Sequence, residues 1–186
     1  MIACGKAPGR IVGGGPVTKN SIPWQVGLVS SIGTRPWCGG TLISNEHVLT
    51  AAHCVDGRLL SSISVLVGEH RTDDNFFTII PLLAINNHPD YNARVNKFDN
   101  DYSILTLATP VEFSARIAPA CLPSDVTRDF VGELATVSGW GKLSYRGYMS
   151  YVPNVLHEVD VTVQSNAWCK YVYGSSSITR LVVKMQ

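Results

Sequence analysis

The residues best suited to chemistry are a histidine and an aspartate in two separate motifs. His53 lies in the run Leu-Thr-Ala-Ala-His-Cys at residues 49–54, where a strand gives way to a tight helical turn. Asp101 comes directly before the apolar run 103–107, which is typical of a buried strand. A carboxylate at the edge of a core is costly unless it is paired, and an imidazole is a natural partner. The two motifs therefore predict an imidazole–carboxylate pair, whose chemistry is proton transfer.

Each of these residues also has an ordinary structural explanation. A single histidine is commonly a hydrogen-bonded core or surface residue. An aspartate before a strand is commonly a turn or cap residue. The sequence context outside the two motifs is needed to choose between these explanations.

Short apolar runs separated by turn residues predict a mainly antiparallel β protein, either a barrel or a sandwich. Sixteen glycines and ten prolines are spread along the chain, and valine, isoleucine, leucine and threonine dominate the runs, as strands prefer. Pro81 predicts a bulge or an edge position, and Ser165 predicts the cap of a helix over 165–172. The predicted strands cover residues 24–29, 64–67, 78–85, 103–107, 134–140 and 159–163.

Composition excludes several classes of partner. The 186 residues carry 15 basic and 14 acidic side chains, without a basic run that would favour nucleic acid or a membrane surface. No apolar stretch approaches the roughly 20 residues that a membrane-spanning helix needs. Residues 1–10 lack the apolar core of a signal peptide, so we expect either a targeting segment upstream or a chain that is not exported as given.

Further motifs along the chain carry a family resemblance. Together with the His53 and Asp101 motifs, in this order, they resemble the trypsin/chymotrypsin family of serine endopeptidases from Cys4 to about Thr179. The additional motifs are RIVGG at 10–14, PWQV at 23–26, WCGGTLI at 37–43, ACLP at 120–123 and GWG at 139–141.

The resemblance implies an all-β, chymotrypsin-like double β-barrel with the first barrel complete and the second incomplete. Residues 1–10 would form an activation segment, and residues 11–186 the peptidase domain. The first barrel would cover about 11–115, and the partial second barrel about 116–186.

The resemblance also implies catalytic roles. His53 would be the general base, and Asp101 would accept a hydrogen bond from the other ring nitrogen and so fix the tautomer. Asp99 is a rival carboxylate, but Asp101 directly meets the apolar strand, as the family's aspartate does. Arg10–Ile11 resembles a zymogen activation bond, whose cleavage by a trypsin-like enzyme or by the protein itself would free the amino group of Ile11.

Two disulfides and one unpaired cysteine are implied in the same way. Cys38 with Cys54 would brace the turn that holds His53, and Cys4 with Cys121 would tether the amino-terminal arm. Cys169 is left without a partner among the five cysteines. A thiolate nucleophile at Cys169 is disfavoured because this residue lies far along the chain from the histidine motif.

No cofactor is expected. Some family members bind calcium in a loop that begins at the glutamate corresponding to Glu69, and here Asp73, Asp74 and Asn75 follow it. The loop is short and lacks a second glutamate, so a solvated acidic turn is the preferred interpretation.

The motif Gly-Asp-Ser-Gly is absent from the sequence, and Ser175, Ser176 and Ser177 have the pattern of a turn. The family pattern stops after about Thr179, so we expect a carboxy-terminally truncated endopeptidase without nucleophile, oxyanion hole or specificity pocket, and hence inactive. The alternatives are a non-catalytic homologue that acts as a binding module and, remotely, an unrelated β-rich adhesion or structural domain.

The expected partners of the full-length form are protein or peptide substrates, protease inhibitors and an activating protease at Arg10, outside the cell. Substrate preference is not readable from these residues.

Overall fold

The computed structural model describes residues 14–74, 77–96, 99–125, 127–142 and 152–173. These residues are mostly β, with three α-helices of at most eight residues, and the all-β prediction is confirmed. The strands are β1 (Gly15–Pro16), β2 (Gln25–Ser30), β3 (Cys38–Leu42), β4 (His47–Thr50), β5 (Ile63–Val67), β6 (Thr78–Asn87), β7 (Ser103–Leu107), β8 (Leu134–Gly139) and β9 (His157–Thr162). The helices are α1 (Ala52–Val55), α2 (Ala93–Asn96) and α3 (Asn166–Tyr173), with a 3-10 turn at Leu60–Ser62.

Six strands close into an antiparallel barrel in the order β2-β3-β4-β7-β6-β5. Closure gives every strand two neighbours, which protects most of the backbone edges that an open sheet would expose. Apolar side chains that alternate along the strands fill the interior. The fully buried ones include Leu28, Leu42, Val48, Val65 and Leu105.

A second sheet of three strands, in the order β1-β9-β8, packs beside the barrel. Trp24 contacts both the barrel core and a smaller cluster that contains Trp140 and Leu156. At the same junction the Ser138 hydroxyl donates a 2.6 Å hydrogen bond to the side-chain oxygen of Gln25. The GWG motif therefore supplies an aromatic side chain to the joint between the sheets.

Each of the six predicted apolar runs contains a strand, with ends displaced by at most two residues. The helix cap is also confirmed, because the Trp168 N–H donates to the Ser165 hydroxyl at 3.1 Å. The irregularity predicted at Pro81 lies slightly later, as a register shift between Leu82 and Ala84. Among the described residues, no helix is long and apolar enough to span a membrane.

Gly40 marks a place where the barrel tolerates no side chain. A Cβ there would lie 2.9 Å from Val48 Cγ1 and 3.1 Å from the backbone oxygen of Leu49. We expect Gly40→Ala to lower the free energy of unfolding by about 1–3 kcal/mol through overpacking. Urea unfolding followed by circular dichroism measures this loss.

Gly141→Ala is the matched control, because a Cβ at Gly141 meets no described atom within 4 Å. We expect this variant to match the wild-type protein or to exceed it slightly in stability. Equal stability of the two variants would contradict the tight packing described at Gly40.

Candidate active site

Strand register brings His53 and Asp101 to the same end of the barrel. β4 and β7 are antiparallel neighbours in which Thr50, the last residue of β4, pairs with Ser103, the first residue of β7. His53 lies three residues beyond that end of β4, and Asp101 lies two residues before β7 begins. The two side chains therefore meet although 48 positions separate them in the sequence.

The carboxylate of Asp101 holds His53 by two hydrogen bonds. Its Oδ1 accepts from the backbone N–H of His53 at 2.8 Å, and its Oδ2 lies 2.6 Å from the ring Nδ1. An ionised carboxylate only accepts hydrogen bonds, so the ring proton must be on Nδ1. Nε2 is then the basic nitrogen of the ring.

The pair is asymmetric in its exposure to solvent. The His53 side chain is 57% exposed, whereas that of Asp101 is 18% exposed. The carboxylate is thus shielded while the imidazole stays open to an incoming molecule. This is the arrangement that a reacting base held by an orienting partner needs.

The turn that carries His53 is fixed by its small neighbours and by a disulfide. Ala51 is extended (φ −80°, ψ 139°) and leads into α1, where Ala52 is fully buried. Cys54 is bonded to Cys38 at the start of β3, which confirms this predicted disulfide. The bond closes a loop of 16 residues, which stabilises the fold by about 3 kcal/mol in the chain-entropy account.

The disulfide also lies against the Nε2 side of the imidazole. The sulfur of Cys54 is 3.6 Å from Nε2 of His53. Cys38, Cys54 and His53 are the one group of three metal-type ligands found among the described residues. Because both sulfurs are in a disulfide, neither is a thiolate, and this group does not form a metal site.

Tyr91 is a neighbour of the pair that sequence reasoning missed. Its hydroxyl is buried without a hydrogen-bond partner in the described structure. Burial, with the negative charges of Asp101 and Asp56, raises the pKa of the Tyr91 phenol, so the group stays neutral beside the carboxylate. Sequence reasoning could not find this residue, because its approach to Asp101 depends on how the segment between β6 and α2 folds back.

Other predicted site residues have different outcomes. Asp99 is half-buried, but the carboxylate that contacts His53 is that of Asp101. Cys121 is disulfide-bonded, while Cys169 is a fully buried free thiol. The predictions for Cys4, Arg10, Ile11 and the serines 175–177 lie outside the described residues.

The acidic loop after β5 differs from the expected solvated turn. Glu69 is 7% exposed, and its Oε1 accepts from the backbone N–H groups of His70 at 2.6 Å and Arg71 at 2.7 Å. Its Oε2 is buried, and the Asp74 carboxyl is a neighbour of this group. Burial raises the pKa of the Glu69 carboxyl despite the two backbone hydrogen bonds, and the charge of Asp74 acts in the same direction.

The described carboxylate of Asp73 is not free to bind a calcium ion in this structure. Calcium takes six to eight oxygen ligands, but both oxygens of Asp73 are engaged, by Arg71 at 2.8 and 3.0 Å and by Asn154 at 3.0 Å. The Arg71 hydrogen bonds lower the pKa of Asp73. Among the described residues, no three carboxylates lie close enough together to share one ion, and Asn75 lies outside these residues.

Comparison with known proteins identifies the family. The trypsin family model matches residues 11–184. The serine protease filzig of Drosophila melanogaster is 36% identical over 97% of this chain, and venom serine protease 34 of Apis mellifera is 33% identical over 94%. The chain belongs to the trypsin family of serine proteases. It spans 11% of the length of filzig and 47% of the length of the venom protease.

A solved structure supports the predicted fold. The structure of neuropsin, a serine protease expressed in the limbic system of mouse brain, matches with a TM-score of 0.78 and 27% identity. The match covers 95% of this chain and 75% of neuropsin. The prediction of a chymotrypsin-like double-barrel fold is thus confirmed.

The hydrogen bonds of Asp101 predict a tautomer switch. In Asp101→Asn the single amide oxygen can still accept the backbone N–H of His53, but the amide NH₂ would face Nδ1 as a donor. We expect the ring proton to move from Nδ1 to Nε2. Two-bond ¹H–¹⁵N correlation spectra of the imidazole report this directly.

Asp99→Asn is the matched control, because it removes the rival carboxylate from the same motif. The His53 tautomer should be unchanged in this variant. A switch in Asp99→Asn, or none in Asp101→Asn, would contradict the assignment of Asp101 as the orienting group.

The buried carboxyl of Glu69 predicts a pH dependence of stability. The pKa of Glu69 is raised above 4.5 in the folded protein, so the folded protein binds the proton more tightly than the unfolded chain does. The stabilisation of the folded protein by the protonated Glu69 carboxyl is complete at pH values below the unfolded-state pKa. It is lost as the pH rises through the folded-state pKa. We expect Glu69→Gln, which stays neutral, to lack this loss and to gain stability relative to wild type as pH rises.

Urea unfolding at a series of pH values from 4 to 8 tests this difference. Glu112→Gln is the control, since Glu112 is exposed and should follow the wild-type pH dependence. The proposed burial effect is wrong if Glu69→Gln and Glu112→Gln have the same pH profile.

Proposed function

We propose that the protein acts in proteolysis as a serine-type endopeptidase, with His53 as the general base and Asp101 as its orienting partner. The observation that carries the proposal is the pair of hydrogen bonds that the Asp101 carboxylate accepts from the backbone N–H and the ring of His53. Membership of the trypsin family supports the same reaction class. The substrates would be proteins or peptides, with protease inhibitors as further partners.

The chemistry assigned to this pair is proton transfer during acyl transfer. Nε2 of His53 would take the proton of a serine hydroxyl as its oxygen attacks the peptide carbonyl carbon. The imidazolium formed would be stabilised by the Asp101 carboxylate at 2.6 Å from Nδ1. It would then give the proton to the leaving amine, and water would release the acyl group by the same steps. None of these steps requires a metal ion.

The nucleophile is not assigned to any of the 186 residues, because no Gly-Asp-Ser-Gly occurs among them. Removal of the serine from such a triad lowers kcat by a factor on the order of 10⁶. We therefore propose that this chain by itself does not hydrolyse peptides, and that activity belongs to a product that also carries the nucleophile.

Processing and location are part of the same proposal. Cleavage after Arg10 would activate the protein, and a Cys4–Cys121 disulfide would keep the short arm attached. The bonded state of Cys121 supports that tether. Disulfides persist in oxidising compartments, which supports an extracellular, secreted protein.

A non-catalytic binding module is the second candidate, and the absence of the serine motif favours it. The geometry of His53 favours the protease instead. A binding module needs neither an oriented imidazole nor a shielded carboxylate, yet both are present. The two candidates differ in whether any natural form of the protein has a reactive serine.

Labelling with a fluorophosphonate probe tests the proposal in two samples. In extracts of the source organism, protein captured by an antibody against the described barrel should be labelled, and mass spectrometry should find the label on a serine outside residues 14–173. The recombinant 186-residue chain should stay unlabelled and should not cleave fluorogenic peptides with Arg, Phe or Ala before the scissile bond.

His53→Ala of the 186-residue chain is the control for non-specific labelling. Labelling of the wild-type chain but not of this variant would overturn the proposed inactivity. Absence of label from every captured natural form would overturn the endopeptidase proposal and favour the binding module.

A further inference from the structure

A groove of about 570 Å³ opens at one end of the barrel, between the start of β6 and the turn that follows β7. Its floor consists of side chains of the barrel core: Val67, Ile80, Val111 and Ile117, each at most 8% exposed. Phe113, which is 40% exposed, stands on one wall. The groove is therefore apolar at its base and within the size range of ligand sites.

The start of β6 has a free backbone edge along this groove. On one side, Thr78 to Pro81 pair with β5. On the other side, the strand pairing with β7 begins at Leu82, and one further backbone hydrogen bond joins Ala108 to Pro81. The barrel is thus closed over most of β6 but is open on one side of its first residues.

Ile79 supplies the unpaired groups on this edge. The backbone oxygen of Pro81 points to the β7 side, where it accepts from Ala108 N–H at 2.9 Å. Because successive strand residues direct their N–H and C=O to alternate sides, those of Ile79 also point to the β7 side. No described strand residue pairs with Ile79 there. An added strand would satisfy both groups.

Charge at the groove adds a further constraint on what fits it. Glu112 lines the groove and is exposed, and it has no ion-pair partner in the described structure. Arg116, the other charged residue of the lining, already has an interaction of its own. A ligand with a basic side chain near Glu112 would complement this charge.

We propose that this groove binds an extended peptide segment of a partner protein, with an apolar side chain on the core floor and a lysine or arginine beside Glu112. The peptide would add a short strand along Ile79, with its backbone N–H and C=O paired to those of Ile79. Main-chain pairing would give affinity, and the apolar and basic side chains would give selectivity.

This peptide site is separate from the catalytic pair. Asp101 lies just before the first residue of β7, whereas the groove begins after its last residue, Leu107. The first and last Cα atoms of the five strand residues are about 13 Å apart. A segment bound in the groove would therefore leave His53 open, so the site can recruit a protein without blocking the pair.

Fluorescence polarisation with designed peptides tests the proposal on the 186-residue chain. The probe is fluorescein-labelled Thr-Lys-Thr-Leu-Thr-Lys-Thr-amide, in which leucine and both lysines share one face of an extended chain. One control peptide has glutamate in place of both lysines. A second has N-methyl groups on the two threonines that flank leucine, which removes the N–H groups that would face Ile79.

We expect the probe to bind and each control peptide to bind about tenfold more weakly. Glu112→Lys should bind the glutamate peptide more tightly than the lysine peptide. Such binding also shows that the groove of the variant is folded and that only its charge has changed. In ¹H–¹⁵N spectra the probe should shift the amides of Ile79 and Phe113.

Three results would overturn the proposal. One is no change in polarisation up to about 1 mM protein, and another is equal binding of the N-methylated peptide. The third is that the chain without peptide sediments as a dimer and that the Glu112→Lys variant sediments as a monomer. The groove would then be occupied by a second copy of the chain.

Discussion

The antiparallel pairing of β4 with β7 is the constraint on which the candidate site depends. The register of this pair fixes which residues follow β4 and precede β7 at one end of the barrel. A shift by one residue would turn the alternating side chains of β7 to the opposite face, exposing Leu105 and burying Thr106. The buried core thus specifies the register, and the register specifies the distance between His53 and Asp101.

The second sheet is attached to this barrel through a small number of specific contacts. The loop after β5 pairs with the segment before β9, since His70 accepts from Leu156 N–H and Asn154 accepts from Thr72 N–H, both at 2.9 Å. The Trp140 indole also points to the His70 carbonyl, at 3.4 Å. The unfavourably buried carboxylate of Glu69 is next to this joint. The Glu69 carboxyl is thus buried where the two sheets meet, and its backbone hydrogen bonds offset part of the free energy that its removal from water costs.

Local patterns predicted six of the nine described strands, because these strands are short runs of apolar and β-branched residues bounded by turn residues. The imidazole–carboxylate pair was predictable for a similar reason: a carboxylate before an apolar strand needs a partner. Local patterns do not report contacts that depend on where a loop folds back. The burial of Glu69 and the approach of Tyr91 to Asp101 are set by such loops, so the solvated turn expected at Glu69 was wrong and Tyr91 was missed. The groove at Ile79 has the same origin, since it exists because β6 extends further than β7.

The disulfide beside His53 couples the site to the chemistry of its surroundings. In an oxidising compartment the Cys38–Cys54 bond ties the first residue of β3 to α1, and the imidazole rests against a sulfur. In a cytosol rich in glutathione, thiol exchange would release α1 from β3 and leave two thiols next to the ring. The turn that carries His53 would then be held by packing alone. The imidazole would move more, and only its hydrogen bonds with Asp101 would restrict that movement. The same sequence would therefore hold a well-ordered base on one side of a membrane and a looser one on the other.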